Sequence, residues 1–478
     1  MSVVIGMVLC QVRHILFHTT RPDIRCVSCA RPGERASPNA MTRTARCIPA
    51  LDRLGFVATL LMPVFLTHGR VFSEISMDLL AVLLLVRSAL GLGWFWTRQF
   101  WVRVAFLWWG WQIVCSLPHI GLGSSQALTQ ACLAIRFPLM AAAMQVWTLR
   151  DAESRLWMSR VLVACCAYFV LQFVMQALLG HNLFGYPRYI DGTLTGPYAH
   201  PRAAAPFSRL VLPVMMLGCA FLVARSGRAE SDTSRSVGTG TFLAMSVLAV
   251  LVLGLMVLAG QRIPMALTAL GIGVCALFYR PLRPAAVVGA LSLPVLVLLA
   301  RFVAPQAFQH LVILAAHQLS HFWESHYGLV FTRAMVMAEA HPVTGLGYDA
   351  FRHACANPAY QHGLPWFSTA SDGGGAGICV QHAHNHYLQA LTNAGVPGLF
   401  LFGGLVFACL RALWPVRGAH HAWRIGLFAA FFIQEWPFAS ASDFLNLPLG
   451  GWAFMLLGVG LAEAEHRQSV EPNPYPVL

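Results

Sequence analysis

The run His382-Ala383-His384-Asn385-His386 is followed, with nine residues between Asn385 and Gly395, by Gly395-Val396-Pro397-Gly398, so ionisable imidazoles stand directly ahead of an apolar stretch. Imidazole, with an unperturbed pKa of about 6.5, is the side chain that accepts a proton near neutral pH. Beside a lipid headgroup layer, that chemistry suits proton transfer on a lipid-linked substrate. An isolated His384 could equally cap a helix or rest at the interface as an amphipathic group. Two further polar sites weigh towards chemistry. The run Arg188-Tyr189-Ile190-Asp191-Gly192 through His200-Pro201-Arg202 is polar and turn-rich between apolar runs, and Gln261-Arg262 occupies a tight turn between two more. Arginine at membrane depth is costly and usually functional, and its planar fork matches phosphate oxygens. Snorkelling to the headgroups is the simpler account of Arg70 and Arg209, whereas Arg87, Arg136 and Arg301 lie within apolar runs and must find partners inside the bundle.

The three histidines raise the question of a metal. Their alternate spacing, with Asp349 and Asp372 the nearest carboxylates in sequence and no second ligand cluster, argues against one. The glycine run Gly373-Gly374-Gly375-Ala376-Gly377 lacks the Lys-Ser/Thr of a phosphate-binding loop and reads as a hinge.

The elements that must hold these groups are set by composition. Hydrophobic residues make up 57% of 478, charged residues 11%, and mean hydropathy is +0.62, values of an all-α polytopic membrane protein rather than a water-soluble domain. Apolar runs predict about twelve spans, near 52–68, 76–95, 104–118, 127–147, 157–179, 205–224, 241–259, 263–279, 285–304, 398–415, 423–438 and 447–463. The net charge of +13 comes from arginines in short clusters between these runs, which orients a membrane protein and needs no nucleic acid. With both termini cytoplasmic, the clusters at Arg98 and Arg103, Arg150 and Arg155, Arg225, Arg228 and Arg235, Arg280 and Arg283, and Arg411, Arg417 and Arg424 all fall inside. Segments 180–204 and 305–397 then lie outside.

The domain organisation that follows is an N-terminal extension over 1–45, nine spans over 46–304, a large, mainly helical external cap over 305–397, and three spans with a cytoplasmic tail over 398–478. The extension mixes Arg, Cys, Ser and Pro without an apolar core and reads as unstructured, or as a start misassigned ahead of Met41. An external segment of the cap's length is unusual unless functional. Within it, apolar spacing predicts helices over 305–323 and 328–340, and Gly395 is placed to end a short helix opened by His384-Asn385. Cys355 and Cys379, the two cysteines of the cap, are expected to form a disulfide if the external compartment is oxidising.

His384-Asn385, nine residues, Gly395, two residues, Gly398, preceded by the Gly345-Leu346-Gly347-Tyr348 turn and a long external loop, resembles the O-antigen ligase family, which shares this region with O-antigen polymerases and protein O-oligosaccharyltransferases. The resemblance covers about residues 46 to 465 in layout; the stretch 355–381 looks longer than usual, and the first 40 residues have no counterpart. It implies a GT-C-like membrane enzyme that needs no cofactor or metal. Such an enzyme transfers a polysaccharide from undecaprenyl diphosphate to a lipid A-core sugar hydroxyl, with inversion, at the periplasmic face of the inner membrane. His384 would be the base or the acceptor-positioning group, with Asn385, Gly395 and Gly398 supporting the motif. Arg188 and Arg262 would hold the diphosphate, with Arg202 the next candidate. His382 and His386 rank below His384. A lipid-linked glycan transporter would explain the spans and arginines but not the histidine motif.

Overall fold

Residues 38–226, 238–367, 369–415, 422–439 and 443–468 are described in a computed structural model of the protein, and the structural statements below concern these residues. In lipid, a backbone must satisfy its own hydrogen bonds, which a helix does within one segment. Helices accordingly dominate, and strand-type pairing among the described residues is one bridge between His181 and Pro187. Eight helices are long and apolar enough to cross a membrane: Ile48–His68, Arg70–Leu92, Ser125–Thr148, Ala152–Leu179, Ala204–Arg225, Thr239–Ala259, Arg280–Val303 and His386–Leu413. The protein is an all-α polytopic membrane protein.

The expected spans differ from these helices in instructive ways. Arg262–Phe278 and Ala422–Gln434 are shorter apolar helices. Phe100–Cys115 has 16 residues, which at about 1.5 Å per residue falls short of a hydrocarbon core of about 30 Å. The boundary expected at 397/398 falls inside His386–Leu413, because the chain breaks at Gly395 alone (φ 66°) and resumes its helix in the next residue. At the start, the expected extension over 1–45 lies mostly outside the described residues, but a helix already begins at Pro38, so 38–45 are not unstructured.

Small residues set the close approaches. Gly426 lets Ala422–Gln434 press onto Ala204–Arg225, where a Cβ would strike the backbone of Pro213. Gly289 meets Ala249 and Leu253 where Arg283–Val303 packs on Thr239–Ala259. Charges inside the bundle are paired as the apolar surroundings require: Arg87 with Asp52 at 2.9 Å, Arg136 with Asp78 at 3.2 Å. Arg301 departs from that expectation. It is exposed in the last turn of its helix, where it can reach the helix end rather than the bundle. Arg209 departs the other way: it is buried, donating to the Ala205 carbonyl and Ser208 Oγ, so it does not snorkel.

Residues between Val303 and His386 have a hydrophobic core of their own, built on the inner face of His326–Ala340 (Val330, Ala334, Met337) and closed by Phe351, Leu364 and Ile378. The first half is helical as expected. The second is not: only short turns of helix at Ala350–Ala354, Pro358–Tyr360, Pro365–Phe367 and Ala376–Ile378 interrupt irregular chain. A disulfide joins Cys355 to Cys379 across it, with Cα atoms 5.7 Å apart. Arg333, buried beneath, donates to the carbonyls of Cys355, Gly373 and Gly375, so one guanidinium satisfies the backbone of the glycine run. The glycine run is thereby tied at two points rather than acting as a free hinge. Closing a loop with a sequence separation of 24 stabilises this segment by about 3 kcal/mol in the chain-entropy model. Non-reducing peptide mapping should recover the 355–379 linkage, and Cys355→Ser/Cys379→Ser should expose the loop to protease; free thiols at both positions in unreduced protein would contradict the bond.

Candidate functional site

Asn385 is the N-cap of His386–Leu413, as short polar side chains prefer to be. Its Oδ1 accepts from the backbone N–H groups of Tyr387 and Leu388 at 3.0 and 3.1 Å, while Nδ2 donates to the Pro437 carbonyl at 2.7 Å. One side chain therefore starts the helix and ties it to the 435–439 turn. The glycines of the motif serve the other end. At Gly395 a Cβ would collide with the carbonyls of Pro342 and Val343, and Val396 N–H donates to Pro342 at 2.7 Å. Gly398 faces Ala394 at the break. The Gly345-Leu346-Gly347-Tyr348 turn lies on the same spot: Leu346 and Gly347 donate to the carbonyls of Thr392 and Asn393, both at 2.9 Å. Distant parts of the motif are thus one clamp.

The histidines on either side of Asn385 face different surroundings. His384 has φ 55°, in the left-handed region that a non-glycine residue rarely adopts. Its ring lies against Tyr327 (centroids 5.3 Å apart), His326 (6.4 Å) and His382 (4.4 Å). Burial above all, then the neighbouring His382 and His326, lowers its pKa to about 3. Desolvation, rather than any neighbouring guanidinium, keeps this imidazole neutral.

His386 turns into the bundle. It is buried, and its Nδ1 lies 2.9 Å from Oε2 of Glu435, whose side chain is completely enclosed. Tyr387 Oη donates to the Glu435 carbonyl at 2.7 Å. With His386, the side chains of Gln112, Gln389, Asn393 and Asp443 line a cavity about large enough for one water. Burial holds the Asp443 carboxyl above its ordinary range, and Asp349, paired with Arg352 at 3.0 Å, is raised to about 7, again chiefly by burial. Glu435 and Asp443 stand outside the histidine motif and share no spacing with it. The available signal was an acid at the end of an apolar run, at a depth where an ionisable group requires a partner.

The loop that carries Arg202 meets the turn that carries Arg262. Loop 180–204 docks on the Ala259–Arg262 turn: Leu194 N–H donates to Ala259, and Gln261 Nε2 to Pro201, beside Arg202. His310 bridges the same turn, with Nδ1 2.9 Å from the Gly260 carbonyl and Nε2 4.0 Å from Asp191. Arg262 Nη1 donates to Gln318 at 2.6 Å, which leaves the rest of its fork for another partner. Arg188 donates to the Ala177 carbonyl at 2.9 Å, at the end of Ala152–Leu179, and Arg202 is exposed. The strip Gln318–Tyr327 therefore touches Arg262 at one end and His384 at the other. Among the described residues, no three His, Cys, Asp or Glu side chains gather as a metal site would require.

Fold and site together define a multi-pass helical membrane protein in which the segment between Val303 and His386 has a hydrophobic core of its own and packs against the histidine motif. Residues 247–403 match the family model described as O-antigen ligase, so the region containing Arg262, the cap and the His384-Asn385 motif carries the resemblance to that family. This family points to a glycosyltransferase-like enzyme acting on lipid-linked glycans in a membrane. Comparison with curated proteins finds no match.

Proposed function

We propose that the protein is an O-antigen ligase, transferring polysaccharide from undecaprenyl diphosphate to a lipid A-core sugar hydroxyl at the periplasmic face of the inner membrane. The observation that supports this reading is the strip Gln318–Tyr327, which contacts Arg262 through Gln318 and His384 through Tyr327. An apolar cleft of about 600 Å³ among Ala152–Leu179, Ala204–Arg225, Thr239–Ala259 and Arg283–Val303 supports a lipid-linked donor. It is lined by Val174, Phe207, Leu258, Leu299 and Val303, near the helix ends that lead to the arginine surface.

In this reaction the acceptor oxygen forms a bond to the anomeric carbon, and the bond from that carbon to the diphosphate oxygen breaks. The hydroxyl proton passes to His384, and the diphosphate leaves with the bonding pair against Arg262, Arg188 and Arg202. Fixed guanidinium groups in a partly dehydrated site stabilise the charge that develops there. A histidine with depressed basicity suffices, because the hydroxyl becomes strongly acidic as its oxygen bonds to carbon.

The test is the purified full chain with undecaprenyl-diphosphate glycan and rough lipopolysaccharide. Glycan attached to the lipopolysaccharide is expected. Lengthening of the donor glycan would instead assign a polymerase, transfer to Ser or Thr of a protein an oligosaccharyltransferase, and lipid translocation without transfer a transporter. Arg188→Ala and Arg262→Ala should each reduce donor use by about 10- to 100-fold, the scale of one charge-assisted contact, with Lys restoring only part. Unchanged donor affinity and turnover in both variants would move the diphosphate site elsewhere.

A further inference from the structure

We propose that His382 is a positioning residue for His384: by accepting the His384 amide N–H on Nδ1, it holds the left-handed turn that directs the His384 imidazole to the cap. This rests on His384 being the proton acceptor of the reaction above. A side chain with a Cβ is disfavoured at φ 55°, and His384 is neither glycine nor asparagine, so the surrounding structure must impose the conformation. The chain shows how. Ala383 is fully buried, its N–H donated to Gln389 Oε1 at 2.9 Å, and Asn385 is locked as the N-cap. Between these fixed points, the amide of His384 lies ahead of the helix, outside its hydrogen-bond ladder, and finds His382 Nδ1 at 3.3 Å.

The two rings stand edge to face, centroids 4.4 Å apart and planes at 84°, so His382 contacts both the backbone and the side chain of its neighbour. Acceptance at Nδ1 requires that nitrogen to be unprotonated, placing the proton of neutral His382 on Nε2. Its surroundings favour the neutral form: burial foremost, then His386 and Arg352, lower its pKa to about 4. His382 need not touch substrate. It acts through the placement of His384, which is why a variant series can separate it from a merely structural residue.

Asparagine can present an acceptor near the Nδ1 position of histidine, whereas glutamine presents its polar end near Nε2. His382→Ala, His382→Gln and His382→Asn in the full-length protein should therefore split. Ala and Gln are expected to lower kcat by about 10- to 100-fold, the scale of a misplaced catalytic group, with donor binding and melting retained, and Asn to recover most of the loss. A readout independent of transfer is the rate at which diethyl pyrocarbonate modifies His384, followed by peptide mass spectrometry. It should rise severalfold in Ala and Gln and return towards the parent in Asn. Parental modification rates in all three variants, Asn no better than Gln, or melting that falls in step with activity would overturn the proposal. If His384→Ala keeps its transfer activity, the reading of His384 as proton acceptor fails, and the modification rates still decide whether His382 places the ring.

Discussion

His384→Ala lowers glycan transfer by about 100- to 10,000-fold, the worth of a positioned general base, while donor binding and melting stay close to the parent. His384→Gln is expected to be similarly slow, because an amide at the Nε2 position cannot take up the proton. The sign of the pH dependence follows from the lowered pKa. With His384 neutral down to about pH 3, its basic form is fully present at neutral pH and is lost only in strong acid. A profile of kcat/KM should therefore show no acid limb near the ordinary histidine value of about 6.5 that originates from this residue. Asp349, raised to about 7, titrates in that window, so the profile is best taken in Asp349→Asn as well. An acid limb near 6.5 that survives Asp349→Asn but is absent from the residual activity of His384→Gln would show that the imidazole is solvated. Substantial transfer by both well-folded His384 variants would remove the residue from the chemistry.

The second large effect is expected at the enclosed pair His386 and Glu435. Removing either partner leaves a hydrogen-bonding group buried alone, which costs about 1–3 kcal/mol. His386→Ala and Glu435→Ala should each reduce the yield of folded protein and lower its melting temperature. The paired replacement His386→Leu/Glu435→Leu should recover much of that loss, because no unpaired polar group remains. The geometry sets this expectation: the two side chains are 3% and 0% exposed, 2.9 Å apart, and join the motif helix to the turn after Ala422–Gln434. Measured melting of the three variants in one detergent decides it. Two single variants as stable as the parent would show that water reaches the pair.

These two residues mark how far the sequence could be read. The helix start at Asn385 was legible because a short polar residue ahead of an apolar run constrains the backbone. The Gly395 break was legible for the same reason: the chain needs a positive φ where Pro342 and Val343 press against it. His386 gave no comparable signal, since two histidines flanking Asn385 look equivalent in a linear string. Only the left-handed φ at His384 and the helical start at His386 send one ring to the cap and the other to Glu435, 49 residues on. The burial of Arg209 and the exposure of Arg301 were likewise hidden, because position in an apolar run does not say which helix face is covered.

Composition and hydropathy by themselves determine that the chain lives in a membrane as helices, since continuous apolar runs of about 20 residues suit helices, whereas barrel strands are about 10 residues long and alternate in polarity. Local chemistry further determines the N-cap at Asn385, the break at Gly395 and the helix over His326–Ala340. Tertiary structure alone decides which polar groups meet: Arg262 with Gln318, His384 with Tyr327, His386 with Glu435. These contacts join segments tens of residues apart. Their partners are selected by packing and by the penalty on any buried polar group left alone, neither of which is written in local sequence.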